Sequence, residues 1–125
     1  MTGIPILIVD DNPLNLKLTR LLLVQEGYVV QTAGDSEQAL ELMRTFSPRL
    51  ILMDLQLPGM DGFELTRHLK DDSATRDIVI VAVTAYAMKG DEQRALDAGC
   101  DGYLAKPIDT RALASQVATY LKGRC

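Results

Sequence analysis

Asp10, Asp11, Asp54, Thr84 and Lys106 are the residues whose types could do chemistry together, although they lie far apart in the chain. Each stands at or beside the end of a short apolar run. "PILIVD" (Pro5–Asp10) leads into Asp11, "LILMD" ends on Asp54, "DIVIVAVTA" carries Thr84 before its last residue, and "GYLA" runs into Lys106 and Pro107. Singly they say little, because an aspartate after a strand is usually a turn former or a helix cap. Together on one edge they would be three carboxylates, a hydroxyl and an ammonium. Two unit charges about 4 Å apart repel by roughly 4 kcal/mol at an effective dielectric near 20, and one lysine does not neutralise three acids. A divalent cation would. All-oxygen ligands at a shallow rim suit Mg²⁺ best, with Mn²⁺ as the alternative, because Mg²⁺ keeps several waters and takes only one or two carboxylates. Such an ion is half of a phosphate site. Thr84 and Lys106 could contact the remaining phosphoryl oxygens, and Asp54 at the centre could act as the nucleophile.

The elements that must position these residues alternate, strand then helix, five times. Pro5–Asp10 reads as a strand covered on both faces. Asn12 can cap the next helix, with Pro13 at its first position; Leu14, Leu18, Leu21 and Leu22 recur at helical spacing, and Gly27 can end it. Tyr28–Ala33 is a second, more polar strand suited to an edge. Asp35 with Gln38 forms a capping-box pair for a helix whose apolar stripe is Ala39, Leu40, Met43 and Phe46, stopped at Ser47-Pro48. Leu50–Asp54 is the third strand. Past the Pro58-Gly59 turn, Asp61 and Glu64 pair at another helix start, with Phe63, Thr66 and Leu69 facing inward. Asp77–Ala85 is the longest strand signal. Beyond it lies a weak fourth helix, with Gly90 at its entry and few apolar anchors beyond Ala95, Leu96 and Ala98. "GYLAKP" is a short fifth strand, and Asp109 caps a last helix with Leu113, Val117, Tyr120 and Leu121 toward the core.

This alternation predicts an α/β fold: one five-stranded parallel sheet with right-handed crossovers and five helices on both faces. Sheets of this size commonly take the order 2-1-3-4-5, and ligands bind outside the carboxyl ends of the strands where the order reverses. Here the reversal falls between strands one and three, the two acidic ones.

The totals narrow the partners. At 125 residues the chain is read as one domain, 1–125. A net charge of −4 argues against direct contact with nucleic acid or an anionic membrane. No run approaches a membrane span, and "MTGIPILIVDD" lacks the basic start of a signal peptide, so a cytoplasmic location is expected. Cys100 and Cys125 have no zinc-like spacing and read as free thiols. His68, the only histidine, lies on a polar helix face in "LTRHLKDD", which speaks against histidine-dependent catalysis.

With those residues in view, the chain from Ile6 to about Leu121 resembles a CheY-like receiver domain of the two-component response-regulator family. "ILIVDDN" resembles the acidic-pair strand, "LILMDLQLPGMDG" the phosphoacceptor strand with its turn, "VAVTA" the hydroxyl strand, and "GYLAKPI" the switch aromatic with the lysine-proline pair. "AVTAYAMKGDE" is similar to stand-alone cell-cycle regulators of the DivK type. The resemblance implies that Asp54 is the phosphoacceptor. It implies that Asp10 and Asp11, with Asp54 and the backbone carbonyl of Gln56, hold Mg²⁺, and that Thr84 and Lys106 contact the phosphoryl group. Thr84 and Tyr103 would then form the switch, and the Lys106-Pro107 bond would be cis. The donor would be a sensor histidine kinase or a histidine phosphotransferase. The output would be a shift of the face formed by the fourth helix, fifth strand and fifth helix, which controls a protein target. The chain would be a signalling module and not a general enzyme, monomeric or weakly dimeric on phosphorylation. Gln56, Tyr86 and the small Ala85 would tune how long the phosphoryl survives.

Three rivals fit less well. A haloacid-dehalogenase-type phosphatase needs a second aspartate two residues after the nucleophile, where this chain has Gln56. A flavodoxin-like mononucleotide binder needs a phosphate loop after strand one, and "VDDNPLN" would repel a phosphate without a metal. A pure interaction module would have lost the chemistry, yet all five positions carry it.

Overall fold

The computed structural model describes residues 3–55, 62–84, 91–105 and 109–122. In chain order its elements are β1 (Pro5–Val9), α1 (Pro13–Gln25), β2 (Val29–Ala33), α2 (Ser36–Leu42), β3 (Leu50–Asp54), α3 (Gly62–Asp71), β4 (Val79–Thr84), α4 (Asp91–Ala98), β5 (Gly102–Ala105) and α5 (Leu113–Lys122). The strands form one sheet in the order β2-β1-β3-β4-β5, and every pairing is parallel. The order common for a five-stranded sheet of this kind is the order found, with β2 at an edge.

Period-two alternation splits the core. Ile6, Ile8, Leu50, Leu52 and Val81 pack with Leu23 of α1 and Leu113, Val117 and Leu121 of α5. Leu7, Val9, Ile51, Met53 and Ile80 pack on the other face with Ala39 of α2 and Leu65 and Leu69 of α3. A strand buried on both faces must be apolar at every position. β3 is the clearest case: Leu50, Ile51, Leu52 and Met53 are all buried, each stabilising the fold by about 1.5–3 kcal/mol. No helix among the described residues is long and apolar enough to cross a membrane.

The helix starts obey their caps. The Asn12 side chain accepts from the amides of Leu14 and Asn15, with Pro13 at the first helical position. Asp35 accepts from the Gln38 amide at 2.7 Å, while the Gln38 side chain accepts from Gly34, a capping box displaced by one residue. Gly27 closes α1 at φ 92°, a conformation open to glycine at little cost. Two ends differ from the sequence reading. α2 stops at Leu42, before Ser47-Pro48, so Met43 and Phe46 pack on the core from beyond the helix. α5 begins at Leu113, after a turn in which the Asp109 side chain accepts from the Arg111 amide. The Pro58-Gly59 turn, Asp61 and Gly90 lie outside the described residues.

The orientation of α1 corrects a further expectation. Of the leucines at helical spacing, Leu14, Leu18 and Leu21 face outward, with Leu14 77% exposed. The buried face instead carries Thr19 and Leu23, flanked by the half-buried Leu16 and Leu22. α1 is apolar on two opposite faces, so periodicity alone could not say which one is inside.

Candidate functional site

β1 ends at Val9, and the next amide, of Asp10, donates to the Ala33 carbonyl of β2 at 3.1 Å. This last ladder bond holds Asp10 at the carboxyl edge, where it is buried. The Asp10 carboxylate accepts from the Asn12 amide at 2.9 Å, so the turn that carries the chain into α1 is built on the acid itself. Asp11, one residue on, is exposed. Asp54 is the last residue of β3 and is buried, paired in register with Val83.

A close backbone crossing holds the chain just beyond Asp54. The Leu55 amide donates to the Val83 carbonyl, and the Gly62 amide to the Leu55 carbonyl. A Cβ at Gly62 would overlap the Asp54 carbonyl oxygen. Glycine therefore lets the first turn of α3 lie against the backbone that presents Asp54. Thr66 then donates to the Gly62 carbonyl at 2.7 Å, tying down the same turn.

These elements bring the carboxylates of Asp10, Asp11 and Asp54 within 4.8 Å of one another. At that distance each like-charged pair repels by roughly 3–4 kcal/mol at an effective dielectric near 20. The donor set fits a small hard cation. It is all oxygen, one member is exposed to admit solvent ligands, and opposite corners of a Mg²⁺ octahedron lie about 4 Å apart. A soft metal would look for thiolate or imidazole, and neither is in the cluster.

Of the other expected members, Thr84 closes β4, its backbone paired with Ala105 of β5; its side chain lies outside the described residues, as do Gln56, Lys106, Pro107, Ala85 and Tyr86. Tyr103 lies on β5, half-buried against the core on the α2/α3 face. His68 is exposed on α3, as its polar surroundings suggested. Sequence reasoning missed Gly62 and also Thr19, which lines a small cavity together with Asp10 and Asp54. A Gly immediately after the Asp61 cap was the only signal for the first. For the second, Thr19 falls on the helical face between Leu16 and Leu23. Across the α3–α4 contact, the Arg94 guanidinium sits 4.3 Å from the centre of the Phe63 ring, a cation–π contact.

Residues 6–118 match the family described as the response regulator receiver domain. The polar-differentiation response regulator DivK of Brucella anthropi is 46% identical over 116 residues, covering 93% of this chain and 94% of the relative. Among solved structures, a CheY-like response regulator receiver domain protein from Methanospirillum hungatei JF-1 superposes with a TM-score of 0.89 at 31% identity, covering 98% of this chain and 97% of that one. The receiver domain of a sensor histidine kinase from Pseudomonas aeruginosa PAO1 superposes with a TM-score of 0.87 at 35% identity, covering 97% and 99%. That structure has a magnesium ion coordinated in its active-site cleft.

Proposed function

The chain belongs to the family of response regulator receiver domains, and from that footing we propose that Asp54 is the point where a phosphoryl signal enters. Receiver domains of two-component systems are switched by phosphorylation, and this one is DivK-like. The observation that carries the assignment is the convergence of Asp10, Asp11 and Asp54, which puts the central acid beside its two neighbours at the point where the strand order reverses.

In this reading Asp10, Asp11, Asp54 and the backbone carbonyl of Gln56 hold Mg²⁺. When bound, the ion neutralises charge on the phosphoryl oxygens during in-line displacement. Asp54 attacks the phosphorus of a phosphohistidine on a sensor histidine kinase or a histidine phosphotransferase. The P–N bond to the imidazole breaks as a P–O bond to the carboxylate forms, and the histidine leaves with the electron pair. Thr84 and Lys106 contact the transferred group. The outward leucines of α1 begin at Leu14, just past Asn12 and the acidic pair, and would seat the donor. The side-chain movement of Thr84 then shifts Tyr103 and the face of α4, β5 and α5, which controls a downstream protein. α4 suits that role: Leu96, its one large apolar residue, is 46% exposed, and weakly anchored elements are the ones switches move. The chain, residues 1–125, acts as one cytoplasmic domain, catalysing only its own phosphorylation and dephosphorylation, as a monomer or a weak dimer when phosphorylated.

Incubation with acetyl phosphate and Mg²⁺ is the test. The expected result is one hydroxylamine-labile phosphoryl by mass spectrometry, lost in Asp54→Asn. Incorporation that survives Asp54→Asn, or none in the wild type, overturns the assignment.

A further inference from the structure

Three threonines lie within described helices, and two of them behave alike. Thr66 donates to the Gly62 carbonyl at 2.7 Å and Thr119 to the Ser115 carbonyl at 2.9 Å, the usual fate of a helical hydroxyl. Thr19 does not. It is 4% exposed on the inner face of α1, and among the described residues its hydroxyl has no hydrogen-bond partner. No side-chain oxygen among the described residues is both sealed off and unpartnered, so this hydroxyl opens on free space. A hydroxyl this deep avoids the cost of an unmet hydrogen bond only if water reaches it, so the space it opens on matters. Thr19 lines a cavity of about 10 Å³ together with Ile8, Leu52, Val83 and the two buried acids of the rim, Asp10 and Asp54. Alternation explains the arrangement. Asp10 continues the face of Ile6 and Ile8, and Asp54 that of Leu50 and Leu52, so both acids lie on the side of the sheet that α1 covers.

We propose that Thr19 is a positioning residue for the acidic site, acting through a single water held between its hydroxyl and the carboxylates of Asp10 and Asp54. The room fits one molecule, since a water needs about 10–15 Å³. The valences also fit. The water accepts from the Thr19 hydroxyl and donates one hydrogen to each carboxylate, making the three bonds typical of a buried water. A carboxylate has lone pairs enough to accept it while keeping its other contacts. The two donated hydrogens sit between like charges and fix the rotation of both acids from beneath, leaving their outer oxygens for the rim. Such supporting partners commonly change metal affinity 10- to 100-fold. The proposal rests on reading the rim as a Mg²⁺ site, and its test separates the two.

In the full chain, Thr19→Val keeps the shape and removes the hydroxyl, while Thr19→Ser keeps the hydroxyl. Calorimetric titration with MgCl₂ should give a Kd about tenfold weaker for Thr19→Val and within about twofold of wild type for Thr19→Ser. A high-resolution crystal structure of the metal-free wild type should place a water within hydrogen-bond distance of the Thr19 hydroxyl and both carboxylates, absent in Thr19→Val. Equal affinity in wild type and Thr19→Val, an equal loss in Thr19→Ser, or a metal-free crystal with no water at that position overturns the role of Thr19. If the wild type takes up no Mg²⁺ but the water is present, the metal reading falls and the water site stands.

Discussion

At the amino end of β4 and β5 one aspartate is held by a full set of complementary partners, whereas at the carboxyl end of β1 and β3 three aspartates converge on each other. Asp101 accepts from the Lys70 ammonium at 2.8 Å and from the Ile80 amide at 2.9 Å, and its own amide donates to the Ile80 carbonyl. Lys70 spends its other two protons on the carbonyls of Arg76 and Ile78. Gly99 at φ 107° brings the chain in so closely that a Cβ would lie 2.8 Å from Lys70 Cγ. This clasp ties the end of α3 to β4 and β5 and satisfies every charge it buries. The rim instead gathers like charges within 4.8 Å, an arrangement that the proposed cation would balance. One end of the sheet is closed from within, and the other, in the proposed reading, would be completed by what binds to it.

Breaking the clasp tests the first half and should have the largest effect. Lys70→Met leaves Asp101 mostly buried without its ammonium; the two side chains are 17% and 21% exposed. Removing one partner of a buried pair costs about 3–5 kcal/mol, and partial exposure reduces this to about 2–4 kcal/mol. Urea denaturation should show that loss, with Mg²⁺ affinity within about twofold of wild type. A loss below about 1 kcal/mol would make the clasp an ordinary surface pair and end the contrast.

The rim should respond in the opposite sense. Without metal, Asp54→Asn removes one like charge from the cluster and should raise stability by about 1 kcal/mol, even though it removes the proposed acceptor. Wild type should gain about 1.4 kcal/mol from Mg²⁺ at ten times its dissociation constant, and Asp54→Asn much less. Thermal or urea unfolding with and without MgCl₂ measures both. A metal-free Asp54→Asn that is less stable than wild type would mean the carboxylate contributes more through its native contacts than it loses to repulsion.

The difference between the two ends also explains what could be read from the sequence. The rim acids were legible because each comes after an uninterrupted apolar strand, and in a parallel sheet all carboxyl ends share one edge. The parallel sheet came from the alternation, and its order from what five-stranded sheets of this kind commonly take. The clasp was not legible. Lys70 and Asp101 are 31 residues apart, and a lysine and an aspartate on polar stretches carry no periodic signal. α1 misled for a related reason: hydrophobic periodicity assumes that the apolar face is the inner one, and Leu14, Leu18 and Leu21 are apolar outside while Thr19 is polar inside. Gly62 marked itself only by being glycine, and the crossing it permits needs the third dimension.

The smallest expected effect links the two ends through Cys100. Its thiol is buried beside the clasp, 3.8 Å from the Thr66 hydroxyl that in turn donates to Gly62 at the rim. Burial pushes the thiol up to about 11 from 9.0, opposed by the Thr66 hydrogen bond and, further off, raised by Asp101 and lowered by Lys70. A folded-state value above the unfolded one means that stability is fully present below the unfolded value and is lost as pH rises toward the folded one. At pH 9.0 the unfolded thiol is half ionised and the folded thiol is not, so stability should fall by about 0.4 kcal/mol between about pH 7 and 9. Cys100→Ala should flatten that slope in urea denaturation at several pH values. An unchanged slope in the variant would place the thiol in a less apolar setting than its burial implies. Adding Mg²⁺ should leave the slope alone if the two ends of the sheet are independent. A slope that changes with Mg²⁺ would instead make the line from Cys100 through Thr66 to Gly62 a physical connection between the closed end and the open one.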